Sequence, residues 1–298
     1  MSRIFGSPAV TDFVQRRIGA RWSQNSQRRK ARGQWYNSDK LFGYVQRSIS
    51  PETGRGVPGA VERALAGRKL RAGLSIGAGN GKKEMALVAA GLVERMTLYE
   101  LSPYHCDVAR QAIAEAGLSE RMTMVLGDAF KAEHPSYDLV YWDHALHHML
   151  DVAAAVRWSV DALEPGGLLV INDYIGPTRL QWTREQVRMA RRYVEAAAPH
   201  LGAQPHVPHK TVLHRWRLMM RDPSEAPQSD RILAACRAAC GGWAPDPIGC
   251  AMISICGRHI VPLADEDSPA LDMLIDWDGR AKAEGHSHFG FGIWQKPG

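Results

Sequence analysis

The sequence predicts an α/β protein, an open and mostly parallel sheet with helices on both faces. Three observations carry that expectation. From Gly67 to Ile171 short apolar runs alternate strictly with helix-forming runs, the pattern of parallel strands joined by crossover helices. Within it, Leu74–Glu84 reads Leu-Ser-Ile-Gly-Ala-Gly-Asn-Gly-Lys-Lys-Glu, an apolar strand turning through three glycines into a helix. A carboxylate then stands at, or just past, the end of each of the next three strands, at Glu100, Asp128 and Asp143.

Residues 1–66 precede the first strand. Thr11–Arg21 is amphipathic, with Phe13, Val14, Ile18 and Trp22 on one face and Arg16, Arg17 and Arg21 on the other. A second helix is expected over Leu41–Ser48, capped by Ser38 or Asp39. Breaks at Ser50–Gly54 and Val57-Pro58-Gly59 follow, so the segment reads as a helical cap. Ala72–Gly77 and Lys82–Ala90 are the first strand and helix. Arg95–Glu100 and Pro103–Ala116 are the second pair, the helix opened by proline and stopped by Gly117. Arg121–Leu126 and Tyr137–Trp142 are the third and fourth strands. Ala153–Leu163 is a helix stopped by Glu164-Pro165-Gly166-Gly167, and Leu168–Ile171 is the fifth strand. The alternation then lapses into an insertion with helices over Thr183–Ala198, Leu213–Met220 and Asp230–Ala239. Phe289–Gln295 is expected as the last strand, at the sheet edge. Trp243–Ile248 is expected before it, with helices over Cys250–Cys256 and Leu271–Ala283 between them.

The glycine spacing narrows the ligand. A dinucleotide fingerprint counted from Gly77 needs a glycine where Lys82 stands, and no Gly-Lys-Ser/Thr closes a P-loop. The loop instead resembles motif I of class I S-adenosylmethionine (SAM) dependent methyltransferases. Over residues 70–175 the resemblance extends to the acid of the second strand, to Gly127-Asp128-Ala129, to His147-His148-Met149 and to Leu163-Glu164-Pro165-Gly166-Gly167. Asp222–Ala226 is similar to a run in bacterial methyltransferases of small molecules.

The resemblance implies a Rossmann-like seven-stranded sheet, mostly parallel with the last strand antiparallel. The N-terminal cap spans residues 1–66, the cofactor-binding core 67–175, a helical insertion 176–240 that forms the substrate pocket, and the C-terminal strands 241–298. It implies SAM as cofactor and S-adenosyl-L-homocysteine as product. Gly77, Ala78, Gly79, Asn80 and Gly81 would pass under the methionine end, Glu100 and Leu101 would hold the ribose, Asp128, Ala129 and Phe130 the adenine, and Asp143 would lie near the methionine.

Composition is ordinary for a globular protein. No apolar run has the length of a membrane span, and Met1–Val10 has no signal-peptide core, so a soluble, cytoplasmic protein is expected, with no membrane partner. The five cysteines are scattered and read as buried reduced thiols. Residues 1–71 carry fifteen Lys/Arg against four Asp/Glu, so the rest of the chain is net acidic. That asymmetry suits either an anionic ligand or a solvated helical surface.

Methyl transfer from a sulfonium needs an aligned nucleophile and, for a proton-bearing one, a base. His144, His147 and His148 follow the fourth strand, and histidine titrates near neutrality. If Ala145 opens a helix, His144 and His148 share a face at i, i+4 and His147 points elsewhere. His144 and His148 are then the catalytic candidates, His144 nearest the strand end as base or substrate-orienting residue and His148 near the cofactor, with His147 structural. Substrate contacts are expected from Trp35 and Tyr36 in the cap, from Tyr174, and from Arg184, Arg188 and Trp216 in the insertion. No metal site is expected, whether from these histidines or from His206 and His209. The function expected is methylation of O or N on a small, anionic acceptor. A homodimer is allowed, and no nucleic-acid-binding module is recognised. The alternatives are RNA or protein methylation and a catalytically silent SAM-binding regulator.

Overall fold

The computed structural model describes residues 19, 20, 23, 34–203, 205 and 212–298. Apart from Gly19 and Ala20, the helix expected over Thr11–Arg21 lies outside these residues, as do His206 and His209. The cap contributes helices α1 (Asp39–Ile49) and α2 (Gly56–Leu65). The core then runs β1 (Leu70–Ile76), α3 (Lys82–Ala89), β2 (Val93–Glu100), α4 (Pro103–Glu115), β3 (Met122–Leu126), β4 (Tyr137–Asp143), α5 (Val152–Asp161) and β5 (Leu163–Tyr174). The insertion carries α6 (Arg184–Ala197), α7 (Val212–Arg221) and α8 (Ile232–Ala239). The chain closes with β6 (Asp246–Cys250), α9 (Ala251–Ile260), α10 (Pro269–Ala283) and β7 (Ser287–Gln295).

The seven strands form one sheet in the order β3-β2-β1-β4-β5-β7-β6, with β1 to β5 parallel and β7 antiparallel to both its neighbours. Strand residues alternate between the two faces, as a pleated backbone requires. Leu139, Tyr141, Leu168 and Val170 pack under α1–α4, α9 and α10, while Val140, Trp142, Leu169 and Ile171 pack under α5 and α8. Leu74, Leu98, Leu139, Val140 and Leu169 are completely buried, each stabilising the fold by about 1.5–3 kcal/mol. None of the described helices is long and apolar enough to cross a membrane.

Four local expectations are corrected. Val57-Pro58-Gly59 does not break the chain but lies in the first turn of α2, where proline's missing N–H has no intrahelical partner to lose. Leu163–Gly167 is not a stop but the start of β5, joined to β4 through a register shift between Tyr137 and Leu139. Phe289–Gln295 is not at the edge: β7 lies between β5 and β6 with Phe289 and Phe291 buried. The edge strand is β6, beginning at Asp246 rather than Trp243, and it carries Pro247, which an edge tolerates.

Candidate active site

The carboxyl ends of β1 to β5 meet on one edge of the sheet. The glycine loop is tied to β2: the N–H groups of Gly77 and Ala78 donate to Tyr99 O at 2.8 and 3.2 Å, and that of Gly79 donates to Glu100 Oε2 at 2.9 Å. Gly77 and Gly79 have φ of 68° and 57°, which costs an L residue roughly 1–2 kcal/mol. A Cβ at Gly77 would lie 2.8 Å from Ala145 Cβ, whereas one at Gly79 would meet nothing within 4 Å. Gly79 therefore borders open space. Gly81 caps α3, and Asn80 Oδ1 accepts from the Lys82 N–H.

Glu100 is nearly buried, and its Oε1 accepts from the N–H groups of Leu101 and Ser102, both at 2.8 Å. With Gly79 on Oε2, three of its roughly four acceptor positions are used, leaving one for a ligand. The cap reaches this point: Ser23 Oγ is 2.8 Å from Ser102 Oγ, and a Cβ at Gly19 would lie 2.2 Å from Leu101 O. Beyond β3, Asp128 Oδ1 accepts from the Phe130 N–H at 3.0 Å and Ala129 is buried. The Phe130 ring packs edge-on against Trp158 of α5 at 4.8 Å, so this side chain anchors the turn to the core.

Asp143 ends β4 inside a buried polar network. Its carboxylate pairs with Lys83 Nζ and accepts from Tyr141 Oη at 2.5 Å and Asn172 Nδ2 at 3.2 Å. Burial pushes its acidity the other way, but Lys83, His144 and these hydrogen bonds hold its pKa below the usual value. Beneath it Glu84 is 2% exposed: Oε1 accepts from Ser75 Oγ at 2.8 Å and Oε2 has no partner. Burial pushes the Glu84 pKa up to about 7.

The three histidines are sorted by Asp173, at the end of β5. Its fully buried carboxylate accepts from the N–H groups of Ala145, Leu146, His147 and Tyr174 at 2.7–3.3 Å and from His147 Nδ1 at 2.5 Å. Gathering these N–H groups bends the chain: His144 takes φ 55°, and Leu146–His148 is a single 3-10 turn. The helix that would have put His144 and His148 on one face does not form. His147 and His148 instead face each other with ring centroids 3.9 Å apart. Burial lowers the His147 pKa, but the charge and hydrogen bond of Asp173 outweigh it, so His147 is raised and Asp173 falls to about 2. Burial and the neighbouring cations push His144 and His148 down to about 4. His148 Nδ1 donates to Ser224 O at 3.0 Å, and the His144 ring stands edge-on to Phe289 at 4.9 Å.

Most of this strand edge lies in a span that is similar to known proteins. Residues 74–171, from β1 into β5, match the methyltransferase domain family. This span is a class I methyltransferase domain. The 27-O-demethylrifamycin SV methyltransferase of Amycolatopsis mediterranei is 30% identical over 146 residues, 46% of this chain and 53% of that protein. Aclacinomycin 10-hydroxylase RdmB of Streptomyces purpurascens is 37% identical over 102 residues, 34% of this chain and 27% of that protein. The chain thus spans about half or less of the length of these relatives. Phosphoethanolamine N-methyltransferase 2 of Haemonchus contortus, solved with S-adenosyl-L-methionine, shares the fold with a TM-score of 0.51 at 15% identity, over 88% of this chain and 58% of that one.

Around the methyltransferase domain the expected substrate residues divide. Trp35 packs against Gly257 of α9 and lies 6.2 Å from the Phe289 ring, one ring away from His144. Tyr36 stands edge-on to Trp35 and is half exposed. Tyr174 backs His147 edge-on at 5.9 Å, its hydroxyl donating to Pro177 O. Arg184 and Arg188, expected in the pocket, are exposed, because α6 turns Gln186, Ala190, Tyr193 and Ala197 inward against α9 and α10. Trp216 of α7 is 60% exposed and also faces solvent.

Sequence reasoning missed Lys83, Asp173, Glu84 and the partnership of His147. Asp173 was findable, since it ends the fifth strand on the edge where the earlier acids were sought. Lys83 and Glu84 carried no signal beyond helix propensity. Among the described residues one group of possible metal ligands comes together, Glu185, Glu284 and His286, where α6 begins and the chain enters β7. A cavity of about 570 Å³ lies between α5 and α8, lined by Leu150, Asp151 and Ala238 among others; none of the groups described above lines it.

Proposed function

We propose that the chain transfers a methyl group from SAM to an O or N atom of a small molecule at the carboxyl edge of the sheet, with His147 as the proton acceptor. The observation that carries this reading is the Asp173–His147 pair at the strand end. Asp173 on Nδ1 fixes the tautomer that leaves Nε2 as the basic atom and raises its basicity. His144 and His148, both pushed toward the neutral form, shape the site and are weaker bases.

The residues present fit the cofactor. Open space in front of Gly79 and the remaining acceptor position of Glu100 suit a ribose diol, and Asp128 with the Ala129 N–H suits an adenine edge. Bound there, SAM would supply an electrophilic methyl group. The chain's own contribution is to orient the acceptor, hold its proton at His147 Nε2 and exclude water beneath the cap segment at Leu101. Arg184 and Arg188 face solvent and Arg179 is committed to the carbonyls of Pro223 and Glu225, so the geometry supports a neutral or cationic acceptor better than an anionic one.

Calorimetric titration with SAM and S-adenosylhomocysteine, together with methyl-transfer assays on an acceptor panel, tests the reading. SAM binding with turnover lost in His147→Ala supports it, and turnover unchanged in His147→Ala refutes the assignment of the base. A second reading, a reaction other than methyl transfer in the same site, is favoured by one observation: a relative matching this chain is named a hydroxylase. SAM binding without a methylated product would favour it.

A further inference from the structure

Beyond His147 lies a second carboxylate with no role so far. Glu225 Oε1 is 4.0 Å from His147 Nε2, too far for a direct hydrogen bond. An atom about 2.8 Å from both would subtend roughly 90°, close to the angle between two hydrogens on one nitrogen or oxygen. With Nδ1–H on Asp173 and the ring neutral, both facing atoms are acceptors.

The loop that brings Glu225 here is held from several sides. Asp222 Oδ1 accepts from the Ser224 N–H and Oγ, and His148 Nδ1 donates to Ser224 O. Arg179 Nη1 donates to the carbonyls of Pro223 and Glu225, and the Arg179 N–H donates to Ala226 O at 2.7 Å. Arg179, Leu180 and Ala226 all have positive φ. Such strain persists only where the surroundings over-determine the backbone. The Glu225 side chain is only 18% exposed; it is a placed acid, not a solvated one.

Resting on the proposed methyl transfer, we propose that Glu225 is the acceptor's second polar contact and that the acceptor presents two polar hydrogens at its reacting end. Two chemistries share that property, a primary amine and a pair of hydroxyls on neighbouring carbons. The rings of Tyr174 and Phe289 beside the histidines make aromatic members of each class the appropriate probes.

The test is NMR-monitored titration of the full chain, with S-adenosylhomocysteine present, using phenol, aniline and catechol against wild type, Glu225→Gln and Glu225→Asp. The wild type is expected to bind aniline or catechol about tenfold more tightly than phenol, the worth of one hydrogen bond to a charged group, with that ratio reduced in Glu225→Gln, whose amide oxygen accepts more weakly, and falling to near one in Glu225→Asp, whose carboxylate is withdrawn by one methylene. Which of the two probes gains identifies the chemistry. Equal binding of all three by the wild type, or a preference that survives undiminished in Glu225→Asp, overturns the assignment. Methyl transfer is measured on the same panel: binding ratios as expected with no methylated product would leave Glu225 as a ligand contact and refute methyl transfer instead.

Discussion

Replacing Glu84 by Gln isolates a poorly compensated buried acid. Its carboxyl is 2% exposed, only Ser75 Oγ reaches Oε1, and Oε2 has no partner. The cations and hydroxyls that would have helped are committed elsewhere: Lys83 and Tyr141 both go to Asp143. Burial therefore raises its pKa from 4.5 to about 7. The sign follows from proton counting. Between those values the folded protein holds a proton that the unfolded chain has released, so the stability of the wild type falls as pH rises from 4.5 through 7. At about 1.4 kcal/mol per unit the full effect is about 3 kcal/mol, of which about 2–3 kcal/mol develops between pH 5 and pH 8. Glu84→Gln keeps the shape and an acceptor for Ser75 but cannot ionise. Urea unfolding of both proteins across this range should show the variant gaining stability relative to wild type as pH rises. Taking the difference between the two pH values removes any pH-independent change in hydrogen bonding. A stability difference that is flat with pH would refute the claim that Glu84 titrates late.

Other expectations follow from the same geometry. Glu100→Gln should weaken SAM binding by about 1.5–3 kcal/mol, the cost of losing hydrogen bonds to a charged group, read by calorimetry. Asp173→Asn should lower kcat/KM about 10²–10⁴-fold. It should also move the His147 titration, followed by NMR, downward, because the raised pKa of His147 depends on that carboxylate. In the wild type kcat/KM should rise with pH through the raised His147 pKa, as Nε2 loses its proton. Lys83→Met should destabilise the fold by about 1–3 kcal/mol by leaving a buried carboxylate without its cation. That loss should shrink in acid as Asp143 takes a proton, measured by urea unfolding at several pH values. Arg188→Ala should leave kcat/KM within about twofold, as for other exposed positions, since the side chain faces solvent.

The alternation from Gly67 to Ile171 determined the parallel sheet, because strand and helix periods and the punctuation between them are local properties. The same local logic placed Gly77, Gly79, Glu100 and Asp128 at strand ends, and the sheet brings them to one edge. What pairs with what was not local. Whether β7 lay inside or outside the C-terminal pair depended on contacts between Leu168–Tyr174 and Phe289–Gln295, more than a hundred residues apart. The arginines of α6 were legible as a basic stripe, but which way the stripe faced was decided by α9 and α10 packing on its other side. The histidine turn shows the physical reason most directly. His144 to His148 were visible as candidates, yet their conformation is imposed by a carboxylate 25 or more residues away, whose four acceptor contacts with Ala145, Leu146 and His147 outweigh the helix the local sequence would otherwise form.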